Sequence, residues 1–352
     1  MAICGFQGVR WHYLLGDAGA CLRLWVRRFE RPRAAPFSKG GVDLVRGAGI
    51  TELGGPVRAL DVPDPADPES DGVLIEVYAA GVANWDDIVR AGGWDVGASP
   101  PMALGVEASG VVRAVGSDVS RFRAGDEVLT HAVPLRQGTW AELFMAPEDQ
   151  VSRKPAEMSF EAAAAFPVPA LAAAQVLSRT VMLKPGEILL VNGGGGMTGG
   201  MLVATAARLG ARVIATADPR SAERLRRYGA DAVIDYHGSD WQAEVGRLAG
   251  GSVPVAVNAV RGAAPGLLSL VADDGRLATI TNEPLQAERG ISVGGFFVSP
   301  DGALLERQAA SFAERGLTIP VAAMYGLAEA GAALDAAVAG RLGGAIVVDP
   351  RR

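Results

Sequence analysis

Between residues 187 and 281 short apolar runs alternate with stretches whose apolar positions recur at helical spacing. The runs "EILLV" (187–191), "ARVIATA" (211–217), "AVID" (232–235), "VPVAVNAV" (253–260) and "GRLATIT" (275–281) read as buried strands. "MLVATAARLG" (201–210), "SAERLRRYG" (221–229) and "WQAEVGRLA" (241–249) read as the helices between them, the first two ending on a glycine stop. Strand and helix in alternation predict a parallel sheet with crossover helices. The stretch from Gly49 to Val168 is patterned differently. "DGVLIEVYAAGV" (71–82), "EASGVVRAVG" (107–116) and "RAGDEVL" (123–129) are short strands punctuated by turns, which predicts a compact all-β barrel. "SFEAAAAFPVPALAAAQVL" (159–177) predicts two helical runs broken at Pro167 and Pro169, with Ser159 at a helix start. The last stretch offers two helices and a closing strand, "GGAIVVDP".

One segment breaks the apolar rhythm. "VNGGGGMTGGML" (191–202) sits between the first strand of the alternating region and its helix. A folded chain keeps such a cluster where φ is positive or where another group approaches the backbone closely. Gly193, Gly196 and Gly199 hold a G-x-x-G-x-x-G spacing, and Gly195, Met197 and Thr198 complete the turn. In a strand–turn–helix setting this predicts a dinucleotide whose pyrophosphate rests on backbone N–H groups at a helix N-terminus. An acid at the end of the next strand would favour NAD, and a nearby arginine NADP. Here Ala217 occupies the acid position, Asp218 follows, and Arg220 comes two residues later. Asp218 sits awkwardly beside a phosphate and reads instead as a helix cap near Pro219.

Composition narrows the picture. The chain has 352 residues, enough for two cores, with 49% hydrophobic and 20% charged residues and a formal charge of −6. No basic footprint suggests a nucleic acid, and no apolar run is long enough to span a membrane. Cys4 and Cys21 are the only cysteines, so no disulfide framework is expected, and a reducing cytoplasm fits. Residues 1–45 are read as a poorly ordered extension. Up to Lys39 they carry seven basic residues (Arg10, Arg23, Arg27, Arg28, Arg31, Arg33, Lys39) against Asp17 and Glu30, which also suits a targeting peptide.

Several stretches in order resemble the medium-chain dehydrogenase/reductase superfamily, and within it the zinc-free, zeta-crystallin-like quinone oxidoreductase group. They are "AAGVANWDDIVRAG" (79–92), "LGVEASGVVRAVG" (104–116), "FRAGDEV" (122–128), "GTWAEL" (138–143), "FPVPALAAAQVL" (166–177), the glycine loop, "GADAVIDY" (229–236) and "SPDGALL" (299–305). The resemblance implies an α/β protein: a GroES-like β-barrel catalytic domain (46–168 with 299–352) and a Rossmann domain (169–298). It also implies a homodimer joined through an edge strand of the Rossmann sheet. Zinc alcohol dehydrogenases of this superfamily carry Cys and His where Ala83 and Val106 stand, and the three histidines (His12, His131, His237) lack ligand spacing, so no metal is expected.

The chemistry then implied is NADPH-dependent transfer of hydride to a quinone or an α,β-unsaturated carbonyl compound. By the same resemblance Arg220 and Tyr236 surround the 2′-phosphate, and Asn258, Val260, Phe296, Phe297 and Val298 border the nicotinamide. Asn84, Trp85 and Asp86 face the substrate, with Asp86 also read as a carboxylate fixing its loop. His131 is the candidate proton donor beside Asn84, and Trp94 and Trp140 would stack on a flat acceptor or pack in the core. Three departures stand out: Ile88 where some quinone reductases have Tyr, Ala172 where many have Thr, and Ala345 in place of a Lys. Two further readings stay open, a tailoring enoyl reductase of polyketide-type biosynthesis and a protein that binds NADPH without catalysis. Alcohol oxidation is disfavoured for want of zinc ligands.

Overall fold

The computed structural model describes residues 43–352 apart from 66, 134–136 and 341; the Arg-rich start therefore lies outside the described residues, save its last three. Two of those three, Leu44 and Val45, open β1 (Leu44–Ile50), which pairs antiparallel with β2 (Arg58–Pro63). The β-rich part continues with β3 (Gly72–Val82), the helix α1 (Asn84–Arg90), β4 (Met102–Ala103), β5 (Glu107–Val115), β6 (Glu127–His131), β7 (Leu143–Pro147) and β8 (Val151–Arg153). Strands β2, β1 and β4 form a small sheet, tied to the next layer by a bridge between Gly47 and Ala141.

Two short helices follow, α2 (Phe160–Ala164) and α3 (Pro167–Gln175). Ser159 caps the first, its hydroxyl accepting from the Ala162 N–H at 3.2 Å. The expected break is displaced: it falls at Ala165–Phe166, and Pro167 and Pro169 lie inside the first turn of α3. A proline there forfeits no intrahelical hydrogen bond, since those N–H groups have no acceptor in any case.

The alternating region forms β9 (Ile188–Asn192), α4 (Met197–Arg208), β10 (Arg212–Ala217), α5 (Ala222–Tyr228), β11 (Ala232–Asp235), α6 (Trp241–Ala249), β12 (Val253–Asn258), α7 (Ala264–Leu267), β13 (Val271–Thr279) and β14 (Ser292–Gly295). Its sheet is parallel throughout, in the order β11-β10-β9-β12-β13-β14. Counted along the chain this is 3-2-1-4-5-6, the doubly wound arrangement, and its strand order reverses between β9 and β12. Helix α8 (Gly302–Glu314) then leads to β15 (Val321–Gly326), α9 (Ala330–Ala339) and β16 (Ala345–Asp349). The closing strand β16 pairs with β3 and so returns to the β-rich part, whose larger sheet runs β15-β16-β3-β5-β6-β8 with β7 also on β3.

The strands of the parallel sheet are buried on both faces, which is why they read as unbroken apolar runs: Leu189, Leu190, Val191, Val213, Ile214, Val255 and Val257 are fully enclosed. No helix among the described residues is long and apolar enough to cross a membrane.

Candidate active site

At the carboxyl end of β9 the chain must turn sharply into α4. Gly193 makes the turn with φ +87°, and a Cβ added there would lie 2.5 Å from a Val260 methyl. Gly199 is excluded from change for another reason, since its Cβ would meet the Gly193 carbonyl oxygen at 2.0 Å. Helix α4 is therefore pressed directly onto the turn. Gly196 differs: it is exposed, caps α4 without any side-chain hydrogen bond, and its added Cβ would find only the Gly193 oxygen, at 3.7 Å. The first N–H groups of α4 thus face outward over bare backbone, and the helix dipole adds partial positive charge at that point. A pyrophosphate fits this cradle.

Below the turn lies a buried polar network. Thr216 donates from its hydroxyl to Asn192 Oδ1 (2.7 Å) and accepts from the Gly193 N–H (3.0 Å), while Asn192 Nδ2 donates to Asn258 Oδ1 (2.9 Å). Asn258 Nδ2 in turn reaches the Val260 carbonyl at 2.8 Å and Glu283 at 3.1 Å. The side chain of Asn258 is wholly enclosed, so it holds the turns at the switch point in place rather than presenting itself to a ligand.

Ala217 ends β10, and Asp218 caps the short turn Pro219–Ser221 by accepting from the Arg220 N–H at 2.9 Å. The same carboxylate grips the Arg220 guanidinium through two bonds, at 2.9 and 3.1 Å. This fork lowers the Asp218 carboxyl to about 2. Across from it Tyr236 is half exposed and stacked on His237, which bonds Asp235 at 2.7 Å. Arg224, unremarked in the sequence, reaches the Gly195 carbonyl from below and stiffens the loop. On the other flank Asn282 pins Phe296 through both its backbone N–H and carbonyl, each at 2.7 Å, which leaves Phe297 72% exposed and Val298 packed against the core.

The substrate-side residues divide sharply. "NWDDIVR", expected as a loop, is the helix α1. Asp86 is its third residue, and its Oδ2 accepts from the Ala83 N–H at 2.8 Å, closing the helix start in place of a side chain at Ala83. Asp86 is buried, its other oxygen has no partner among the described residues, and burial pushes its carboxyl up to about 7. Glu107 lies close by, also buried, accepting from the Val168 N–H at 2.8 Å; burial and the nearby Asp86 both raise it well above the usual range.

His131 faces Glu107 in the β5–β6 register and is fully enclosed. Its Nδ1–H donates to the Val106 carbonyl at 2.9 Å, Nε2 has no partner among the described residues, and burial drives the ring down to about 4. A neutral imidazole in this setting has its one N–H committed to Val106 and its ring closed off from the cleft lined by Asn84. Trp140 is likewise core, its indole N–H bonded to the Gly81 carbonyl at 2.9 Å, and it offers no stacking face. Asp86, buried and bonded to Ala83, is held at the start of α1 as the loop-fixing reading expects. Trp85 and Trp94 lean on the β-rich core from its edge.

Asn84, by contrast, is exposed and lines a cleft of about 410 Å³ with Asp87, Ile88, Ala91, Gly93, Arg261 and Val338. This cleft joins α1 and α9 to the turn that follows β12, at the switch point of the parallel sheet. Glu107 and Arg261 carried no signal in the sequence by themselves; each becomes visible only through what the fold sets beside it.

These features have counterparts in known proteins. The family described as alcohol dehydrogenase GroES-like domain matches residues 69–156, and that described as zinc-binding dehydrogenase matches residues 228–348. The chain belongs to the medium-chain dehydrogenase/reductase superfamily, with a GroES-like domain joined to a Rossmann-like parallel sheet. A quinone oxidoreductase of Sus scrofa is 32% identical over 200 residues, which are 56% of this chain and 60% of that protein. The chain thus spans about 60% of the length of the curated relatives it matches first. Among solved structures, an NAD-dependent alcohol dehydrogenase has a TM-score of 0.76 at 28% identity, covering 86% of this chain and 99% of that one. The quinone oxidoreductase from Coxiella burnetii has a TM-score of 0.76 at 25% identity, covering 87% and 99%. Despite the second family's description, no group of three or more His, Cys, Asp or Glu among the described residues is arranged to hold a metal ion. Ala83 and Val106, which stand where the resemblance would put two zinc ligands, carry no ligating atom.

Proposed function

We propose that this protein is an NADPH-dependent, zinc-independent reductase of quinones or α,β-unsaturated carbonyl compounds. The observation that carries the reading is the open cradle at Gly196 beside the cleft lined by Asn84, both at the switch point of the sheet. The names of the quinone oxidoreductase relatives support it. When bound, the reduced nicotinamide supplies a hydride, that is one hydrogen with two electrons. Gly193, Gly196 and the first turn of α4 would hold the pyrophosphate, Arg220 and Tyr236 would meet a 2′-phosphate, and Phe296 and Val298 would border the nicotinamide. An enone in the cleft gains hydride at its β carbon, its π electrons move onto the carbonyl oxygen, and the α carbon then takes a proton from water. A quinone gains the same hydride and proton to become the hydroquinone. Asn84, at the mouth of the cleft, donates its amide N–H to the oxygen where negative charge develops. His131 takes no part.

NADH is the second reading, favoured by one observation: the Asp218 carboxylate occupies Arg220. The test is a direct titration of both nucleotides by fluorescence, with zinc content measured on the same sample. Tighter NADPH binding by a protein without stoichiometric metal supports the proposal, and preferential NADH binding or one tightly held zinc per chain contradicts it. A homodimer and a cytoplasmic location go with this reading, and sedimentation and fractionation test them.

A further inference from the structure

Arg261 follows the β12 turn, directly after Val260, and lies exposed on the wall of the 410 Å³ cleft. Among the described residues it makes no ion pair, whereas Asp87, the acid in the wall, is bonded by Arg90 at 2.7 Å. The remaining wall is uncharged, with Asn84 as a polar group and Ile88, Ala91 and Val338 as apolar surface. The cleft is of a size that suits a small organic ligand. It is therefore a trough of mixed polar and apolar surface, with one guanidinium that is unpaired among the described residues at the end that adjoins Val260.

We propose that Arg261 is a specificity residue that binds a carboxylate carried by the acceptor, so that the preferred substrates are anionic enones rather than neutral ones. The inference rests on the reductase reading for its reaction but not for its binding. The planar guanidinium can hold a carboxylate by two parallel N–H bonds, which fixes both the position and the direction of the ligand along the trough. The hydrocarbon between carboxylate and carbonyl then lies on Ile88, Ala91 and Val338, and the carbonyl oxygen is directed to Asn84. Discrimination follows from charge: the methyl ester of the same acid fills the trough equally but leaves Arg261 unpaired.

The experiment compares β-acetylacrylate with its methyl ester as acceptors for the wild type, Arg261→Ala and Arg261→Lys. The wild type should prefer the acid in kcat/KM by about fivefold, the upper end for an ion pair at an exposed site. R261A should lose that preference, its kcat/KM for the acid falling to the level of that for the ester, and R261K should fall between, since it keeps the charge without the fork. Equal use of acid and ester by the wild type, or an equal loss for both in R261A, overturns the proposal. A second arm needs no turnover: levulinate and methyl levulinate are titrated calorimetrically against the NADP⁺-loaded protein. If neither acceptor is reduced, the reductase reading has failed, and this arm alone decides. Levulinate bound more tightly than its ester by the wild type but not by R261A sustains the assignment of Arg261, and indifference to the charge removes it.

Discussion

Replacing Asp86 by asparagine should change how stability varies with pH, and the sign follows from burial. In the unfolded chain this carboxyl titrates near 3.8, whereas in the fold burial holds it at about 7. Between those values the folded protein keeps a proton that the unfolded chain has released. Raising the pH through the window therefore favours unfolding, by about 1.4 kcal/mol for each pH unit. The full difference is about 4 kcal/mol, present above neutrality and absent below the unfolded value. Asparagine keeps an oxygen for the Ala83 N–H and cannot ionise. Because Asp86 also helps to keep Glu107 protonated, the substitution eases both acids in one direction. The assay is urea unfolding of wild type and D86N at intervals from about pH 5 to about pH 8, where the variant should gain about 3 kcal/mol relative to wild type. A difference that stays flat, or a variant that weakens increasingly as the pH rises, would refute the account of Asp86 as an acid held neutral by burial.

Other consequences can be measured on the same protein. His131 is held at about 4, below its ordinary 6.5, so acidification through that window should cost the fold about 3 kcal/mol as the unfolded chain takes up a proton the folded ring refuses. H131N should flatten this acid limb in unfolding experiments while NADPH turnover persists; a fall of about a hundredfold or more in kcat would restore His131 as the proton donor. Gly199→Ala should lower the melting temperature and abolish nucleotide binding, because its Cβ meets the Gly193 oxygen at 2.0 Å. Gly196→Ala should fold normally yet bind NADPH at least about tenfold more weakly, since the new methyl lies where the phosphates would press. Arg220→Ala should raise KM for NADPH by about tenfold and leave NADH unchanged, while Asp218→Ala should shift preference toward NADPH by freeing the guanidinium.

Some of this architecture was plain in the chain and some could not be. The parallel sheet was legible because strands such as Leu189–Val191 are enclosed on both faces and must be apolar throughout, and because a glycine cluster between strand and helix has few other uses. Strand β1 was harder to see: Gly47 and Gly49 interrupt its short apolar pattern, and besides β2 it is held by partners farther along the chain, Met102 and Ala103 in β4 and the Trp140 carbonyl. Helix α1 was read as a loop since Ala83 cannot cap it and the capping acid stands three residues inside. His131 ends a strand, and nothing local tells whether its ring points to a cleft or to the core. Glu107 sits 21 residues beyond Asp86, and their interaction exists only because β5 and α1 converge. The freedom of Arg261 likewise depends on which acids the fold leaves near it. Pairings across distant segments decide these cases, and local pattern does not record them.

The central claim is a nucleotide cradle that serves a reductase. Its most direct test is NADPH oxidation, followed by its absorbance, with benzoquinone, phenanthrenequinone and simple enones offered in parallel and NADH as the control donor. The account predicts acceptor-dependent oxidation of NADPH that survives treatment with a metal chelator and is lost in G199A. Tight NADPH binding with no acceptor reduced, or turnover abolished by the chelator and restored by zinc, would contradict it.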